Sequence, residues 1–356
     1  MKRKLIKGTY LTLIKLFDCL IKTKTNKTIF NKKNIVLLMT FKEDMMPILD
    51  ALHQKGTYRI TLLYHPKYES FLQLPKYHDI VKIPLGNRYV LKHIKAIKSA
   101  SIVVIDTYYL MLGSLKKSSQ QEVIQVWHAS SALKKFGLED AALNQNDQKM
   151  IRQYKSVYNF TDSYVVAGSQ MEAIFKRSLD AEKKQFLRFG LARLNQEYTI
   201  HNRDVLEQPI LFLPTYRDYE ISEEDKLNEH DIEGLIIRAH PSDCNYQTSS
   251  IIKNKSLDEL ITMSSVVITD YSSLAVEAAY KGKPVMLFVP DEEKYHQTRG
   301  LNEAYFNISK KNKAYNKSEL KACLNNIQPI DITNWVNYQT EDALAHLIHY
   351  IEERVR

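Results

Sequence analysis

The sequence predicts an α/β protein with two Rossmann-like domains facing across a cleft, preceded by an amphipathic helix. Three observations carry this reading. Short apolar runs bounded by polar turns recur from residue 35 onward, as parallel strands covered on both faces require. Helix-period stretches alternate with them. The alternation restarts near Gln208, after a break at residues 195–208, so the 356-residue chain divides into two series.

In chain order, Leu5, Ile6, Tyr10, Leu13, Ile14, Leu16, Phe17, Leu20 and Ile21 come first, at steps of three and four. They form a helical stripe with lysines around it. Lys7 and Lys15 interrupt the run, which therefore falls short of the roughly 20 apolar residues that span a bilayer. IVLLM (35–39), RITLLY (59–64), IVVID (102–106), VIQVW (123–127) and YVVAG (164–168) are the strands expected of the first series. Helices are expected near 43–55, 88–98, 147–159 and 169–179. ILFLP (210–214), LIIRAH (235–240), VVITD (266–270) and PVMLFV (284–289) make the second series, with a helix over 273–282. The expected domains are 1–33, a basic amphipathic membrane-association segment; 34–200, the first Rossmann-like domain; and 201–356, the second. The last helix is expected to return to the first domain.

Charge narrows the function. The net charge is +9, and residues 1–33 hold ten basic groups against the single acid Asp18, so the rest of the chain is neutral. A neutral body with a cationic leading helix points to an anionic membrane surface, to which each Lys or Arg contributes about 1 kcal/mol. The alternative is a helix packed on the first domain with its lysines solvated. No basic stripe or aromatic RNA-binding motif accompanies it, so nucleic acid is not an expected partner. Three scattered cysteines suit a reducing compartment.

The unusual polar clusters all fall at strand ends, where α/β sheets bind ligands. His128 follows a strand of the first series. Arg217, His240 and Thr269–Ser273 follow strands of the second, and Asp291 and Arg299 lie beyond its last one. Hydroxyl residues before a helix either cap it or leave its N–H groups for an anion. Arg217 and Arg299 suit a phosphate or serve as surface residues. Glu277 either accepts from ribose hydroxyls or makes an ion pair. His240 either donates to a phosphoryl oxygen or is a satisfied core histidine. His128, with an ordinary pKa near 6.5, suits proton removal from a hydroxyl. There is no D-x-D, Walker-type loop, G-x-G-x-x-G or H-E-x-x-H, so neither a metal nor a cofactor is expected.

Together, WHASSALKKFG (127–137), PTYR (214–217), AHP (239–241), ITDYSSLAVE (268–277) and PDEEKYHQTRG (290–300) resemble the CDP-glycerol glycerophosphotransferase family of wall teichoic acid synthesis in Gram-positive bacteria. The resemblance implies a GT-B-like fold. It also implies transfer of glycerol phosphate from CDP-glycerol to a hydroxyl on an undecaprenyl-diphosphate-linked acceptor, with release of CMP. On this resemblance His128 is the base and His240 a phosphate contact. Arg217, Thr269, Ser272, Ser273 and Arg299 hold the diphosphate, Glu277 lies near the ribose, and Asp291 has no assigned role.

Many polymerising members read His-Gly followed by Thr-Pro, where this chain reads His128-Ala129-Ser130-Ser131-Ala132. That form is similar to the priming enzymes, which add the first unit to a ManNAc-GlcNAc disaccharide. The chain is also short. The expected protein is a peripheral enzyme at the cytoplasmic face of the membrane, alongside other teichoic acid synthesis enzymes. The rivals are a poly(glycerol phosphate) polymerase, a GT-B glycosyltransferase using a nucleotide sugar, and a non-catalytic scaffold at the membrane.

Overall fold

The structure is a computed structural model and describes residues 10–19, 31–73, 75–196, 208–240 and 243–355. The described strands form two parallel sheets. The first comprises β1 (Asn31–Met39), β2 (Arg59–Tyr64), β3 (Val81–Pro84), β4 (Ala100–Ile105), β5 (Glu122–Gln125), β6 (Ser163–Val165) and β7 (Gln185–Leu187), in the order β3-β2-β1-β4-β5-β6-β7. The second comprises β8 (Ile210–Leu213), β9 (Leu235–Ile237), β10 (Val266–Thr269), β11 (Val285–Phe288) and β12 (Lys313–Ala314), in the order β12-β11-β10-β8-β9. Each order reverses once, between β1 and β4 and between β8 and β10. A crevice beyond the strand ends forms at such a reversal.

The helices over the sheets are α1 (10–19), α2 (Lys42–Gln54), α3 (Glu69–Leu72), α4 (Val90–Ser99), α5 (Gln148–Tyr158), α6 (Ser169–Ser178), α7 (Leu257–Met263), α8 (Leu274–Tyr280), α9 (Glu292–Arg299), α10 (Glu303–Phe306), α11 (Lys317–Cys323), α12 (Thr333–Val336) and α13 (Ala343–Val355). The apolar runs named from the sequence are strands, because Ile35–Met39 and Val103–Val104 are covered on both faces. Strands β3, β7 and β12 were not expected. All three are sheet edges of two to four residues, too short to display a period.

The two sheets share a core. One apolar cluster runs from Leu133, Tyr164 and Phe175 to Leu213, Tyr271 and Leu287. A polar clasp lies beside it: the Lys135 N–H donates to the Gly300 carbonyl (2.9 Å), and the Asn302 N–H donates to Leu133 (2.9 Å). The Asn302 amide also donates to the carbonyls of Ala132 and Lys134. The chain then crosses back through α12, so close to Gly168 that a Cβ there would meet the Trp335 backbone at 2.2 Å. α13 buries Leu347, Ile351 and Val355 against the first sheet's helical layer and strands.

Helix α1 is docked on the first sheet. Ile14 is fully buried among Val36, Leu38, Ile94 and Ile97, and Asp18 pairs with Lys98 Nζ at 2.6 Å. Leu13 and Leu16 remain exposed. Packing against the chain's own sheet therefore uses one stripe and leaves a second apolar edge. The rest of the 1–33 segment up to Phe30, except residues 10–19, lies outside the described residues, as do most of the 195–208 break and Pro241. No described helix is long and apolar enough to cross a membrane.

Candidate active site

His128 stands beyond β5 because the chain turns sharply there. Trp127 has φ 61°, a left-handed conformation that L residues rarely adopt. The Gln125 side chain holds the turn, accepting from the Trp127 N–H (2.9 Å) and donating to the Thr107 carbonyl (3.1 Å). The His128 ring lies against Phe41 (centroids 4.2 Å) and Trp127 (4.5 Å). Its Nδ1 is 2.7 Å from the Asp106 carbonyl oxygen. A carbonyl only accepts, so Nδ1 carries the proton and Nε2 keeps a lone pair. Burial lowers the His128 pKa to about 4, despite that bond, and the charges of Arg193 and Lys134 lower it further. The Asp106 carboxylate accepts from the N–H groups of Thr40 and Phe41 and from Tyr109, which ties the β1–α2 turn to β4.

The second sheet supplies the facing wall. Ser272 and Ser273 follow β10 and line the cleft with His240, Arg238 and Arg299. Arg299 ends α9 and pairs with Asp218 at 3.0 Å. His240 lies 5.8 Å, ring to ring, from Tyr216. Its pKa is lowered by burial and by Lys134, with Asp243 opposing. The cleft has a volume of about 790 Å³, and among the described residues six cationic side chains line it against three carboxylates. Such an excess suits an anionic ligand.

Three of the expected site residues do not line the cleft. Arg217, expected on the diphosphate, is 3 % exposed and held by two carboxylates. Its Nη1 reaches Asp270 (2.8 Å) and the Thr215 carbonyl, and its Nε and Nη2 grip Asp291 at 2.6 and 2.9 Å. The fork is consumed inside the fold. Asp291 thereby has a role, since it also accepts from the hydroxyls of Tyr219 and Tyr271. Burial pushes this carboxyl up, but Arg217 and the two hydroxyls outweigh it and hold the pKa below the ordinary value. Thr269 is fully buried, its hydroxyl donating to the Leu213 carbonyl (2.7 Å). Glu277 is buried in an ion pair with Arg193 Nη2 (3.1 Å) and does not open to the cleft. The polar groups of PTYR and ITDYSS therefore divide. Thr269, Asp270 and Arg217 brace the loops, and Ser272 and Ser273 face the cleft.

The sequence reading missed Lys134, Lys135, Arg193 and Arg238, all of which line the cleft. The two lysines lie inside the quoted WHASSALKKFG, but a lysine pair normally reads as a solvated face. Only the clasp with residues 299–302 turns them inward. Burial lowers the Lys134 pKa, with Asp270 opposing. Arg193, between β7 and the break, ties three parts together. It bonds Asp44 on α2 (3.2 Å), Glu277 on α8 and the backbone oxygen of His128 (3.0 Å). Among the described residues no three His, Cys, Asp or Glu side chains converge as a metal set.

Comparison with known proteins follows the same lines. The family described as CDP-Glycerol:Poly(glycerophosphate) glycerophosphotransferase matches residues 21–341. The chain is 36% identical to a teichoic acid glycerol-phosphate primase of Staphylococcus aureus, covering 99% of each chain. It is 27% identical to one of Bacillus subtilis, covering 91% of this chain and 93% of that one. A teichoic acid poly(glycerol phosphate) polymerase of Bacillus subtilis is 22% identical, and the match covers only 44% of it. The solved wall teichoic acid polymerase TagF, after a CDPG soak, superposes with a TM-score of 0.75 at 16% identity, over 99% of this chain and 97% of that one. The α/β architecture with parallel sheets is thus similar to that of TagF. With a match over most of its length and a relative above one-third identity, this chain belongs to the CDP-glycerol:poly(glycerophosphate) glycerophosphotransferase family.

Proposed function

We propose that this chain is a teichoic acid primase. It transfers glycerol phosphate from CDP-glycerol to a hydroxyl of an undecaprenyl-diphosphate-linked ManNAc-GlcNAc disaccharide and releases CMP. The observation that carries the reading is a neutral histidine with a bare Nε2 at the wall of a cationic cleft. The full-length similarity to proteins named glycerol-phosphate primases favours one added unit over a polymer. Residues 34–200 act as the acceptor-side domain and 201–356 as the donor-side domain.

The acceptor hydroxyl gives its proton to His128 Nε2 as its oxygen attacks the β-phosphorus of CDP-glycerol. The bond from that phosphorus to the bridging oxygen breaks, and CMP leaves. The charge on CMP meets His240, Arg299, Lys134 and the Ser272–Ser273 turn, all fixed before the reaction. Incubation with CDP-glycerol and a synthetic lipid-linked disaccharide, with products sized by mass, tests this. One added unit is expected, and a ladder identifies a polymerase. Release of UDP or GDP from a sugar nucleotide instead identifies a glycosyltransferase.

A base works only when unprotonated. With the His128 pKa at about 4, kcat/KM for CDP-glycerol should persist as pH falls through 6.5 and drop only toward 4. An acid limb at or above the ordinary histidine value would assign the base elsewhere.

The enzyme works at the cytoplasmic face of the membrane, held by the cationic leading segment and the exposed edge of α1. Leu13→Glu combined with Leu16→Glu should lower binding to anionic vesicles. Because both side chains are exposed, stability should change by no more than about 0.5 kcal/mol per site. Unchanged vesicle binding would leave α1 a docking helix only.

A further inference from the structure

A second cavity, about 280 Å³, shares His128 with the cationic cleft. Its character is different. Tyr108, Trp127, Phe136, Tyr154 and Tyr158 form its walls, and among the described residues no Lys, Arg, Asp or Glu lines it. These rings brace one another: Tyr108 lies 5.2 Å from Tyr154 and 5.8 Å from Tyr158, and Trp127 lies 5.1 Å from Phe136. Thr107 and Gln125 add polar groups at the strand ends beside His128.

A diphosphate entering this space would lose its water without meeting a cation, which is prohibitive. An isoprenyl chain would need length that the volume does not offer. A hexopyranose fits on both counts. Its C–H face can lie on an aromatic ring while its hydroxyls reach phenol, amide and threonine groups, and the volume is near the lower end for small-molecule sites. Position adds a constraint. A base must approach the hydroxyl it deprotonates to within roughly 2.6–3.2 Å. Since His128 lines both spaces, a sugar in one and a phosphate in the other can meet at its ring. We propose that this aromatic cavity is the acceptor subsite, seating one neutral hexopyranose ring with a hydroxyl presented to His128. The proposal rests on the primase reading above.

The test uses full-length enzyme with Thr107→Trp, which fills the cavity, and Tyr154→Ala, which removes a wall. Both should raise KM for a soluble disaccharide acceptor by roughly tenfold or more, while the CDP-glycerol Kd stays within about twofold. That unchanged donor Kd also shows each variant to be folded. An unaltered acceptor KM in folded Thr107→Trp overturns the proposal. If the wild-type protein binds no CDP-glycerol, the primase reading fails. The subsite is then decided by titrating free ManNAc-GlcNAc against tryptophan fluorescence. Binding by wild type that both variants lose supports the subsite. Binding retained in the variants, or none by wild type up to about 10 mM, overturns it.

Discussion

His128→Ala should lower turnover by about 10²–10⁴-fold, the scale of a positioned general base, and leave CDP-glycerol binding nearly intact. The asymmetry follows from the site. His128 is held by a backbone carbonyl and two aromatic faces on the first sheet, and most of the cleft's cations lie on other loops. Removing the imidazole takes away the proton acceptor and little of the charge that grips a diphosphate. Single-turnover rates and donor Kd should be measured together. Wild-type turnover in the variant would exclude His128 from proton transfer. Loss of donor affinity equal to the loss of rate would make it a binding residue instead.

Asp291→Ala should destabilise the fold by about 3–5 kcal/mol, because it removes one of the two carboxylates that compensate a buried guanidinium. Arg217 would lose its two-point partner, and Tyr219 and Tyr271 would lose a common acceptor. For a protein of this size the melting temperature should fall by on the order of 10 °C. Arg217→Met should do comparable harm by leaving Asp270 and Asp291 without their cation. A diphosphate ligand would behave differently: the protein would stay stable and lose only donor affinity. Arg217→Met with an unchanged melting temperature and a much weaker CDP-glycerol Kd would return the arginine to the binding site.

The difference between these two residues shows how far the sequence could be read. Both stand directly after a strand, and both belong to motifs with a family resemblance. His128 is where that position suggests, since the turn at Trp127 leaves its ring at the cleft. Arg217 points inward, because two carboxylates distant in sequence meet it there. Strand-end position identifies a loop, and it does not say which side of the loop faces ligand. The same ambiguity covers Glu277, for which an ion pair was one open alternative. Its partner, Arg193, belongs to no quoted motif.

The central strands, the two series and the family were legible because they depend on local quantities. A buried parallel strand must be apolar along its length, and a motif is a string of neighbours. The edge strands β3, β7 and β12 lacked enough residues to show a pattern. The orientation of polar side chains at the strand ends was decided only by the tertiary structure. A buried charge points toward whatever compensates it: the partners of Arg217 follow neighbouring strands of its own sheet, and those of Arg193 and Lys134 are brought near by the packing of one sheet on the other.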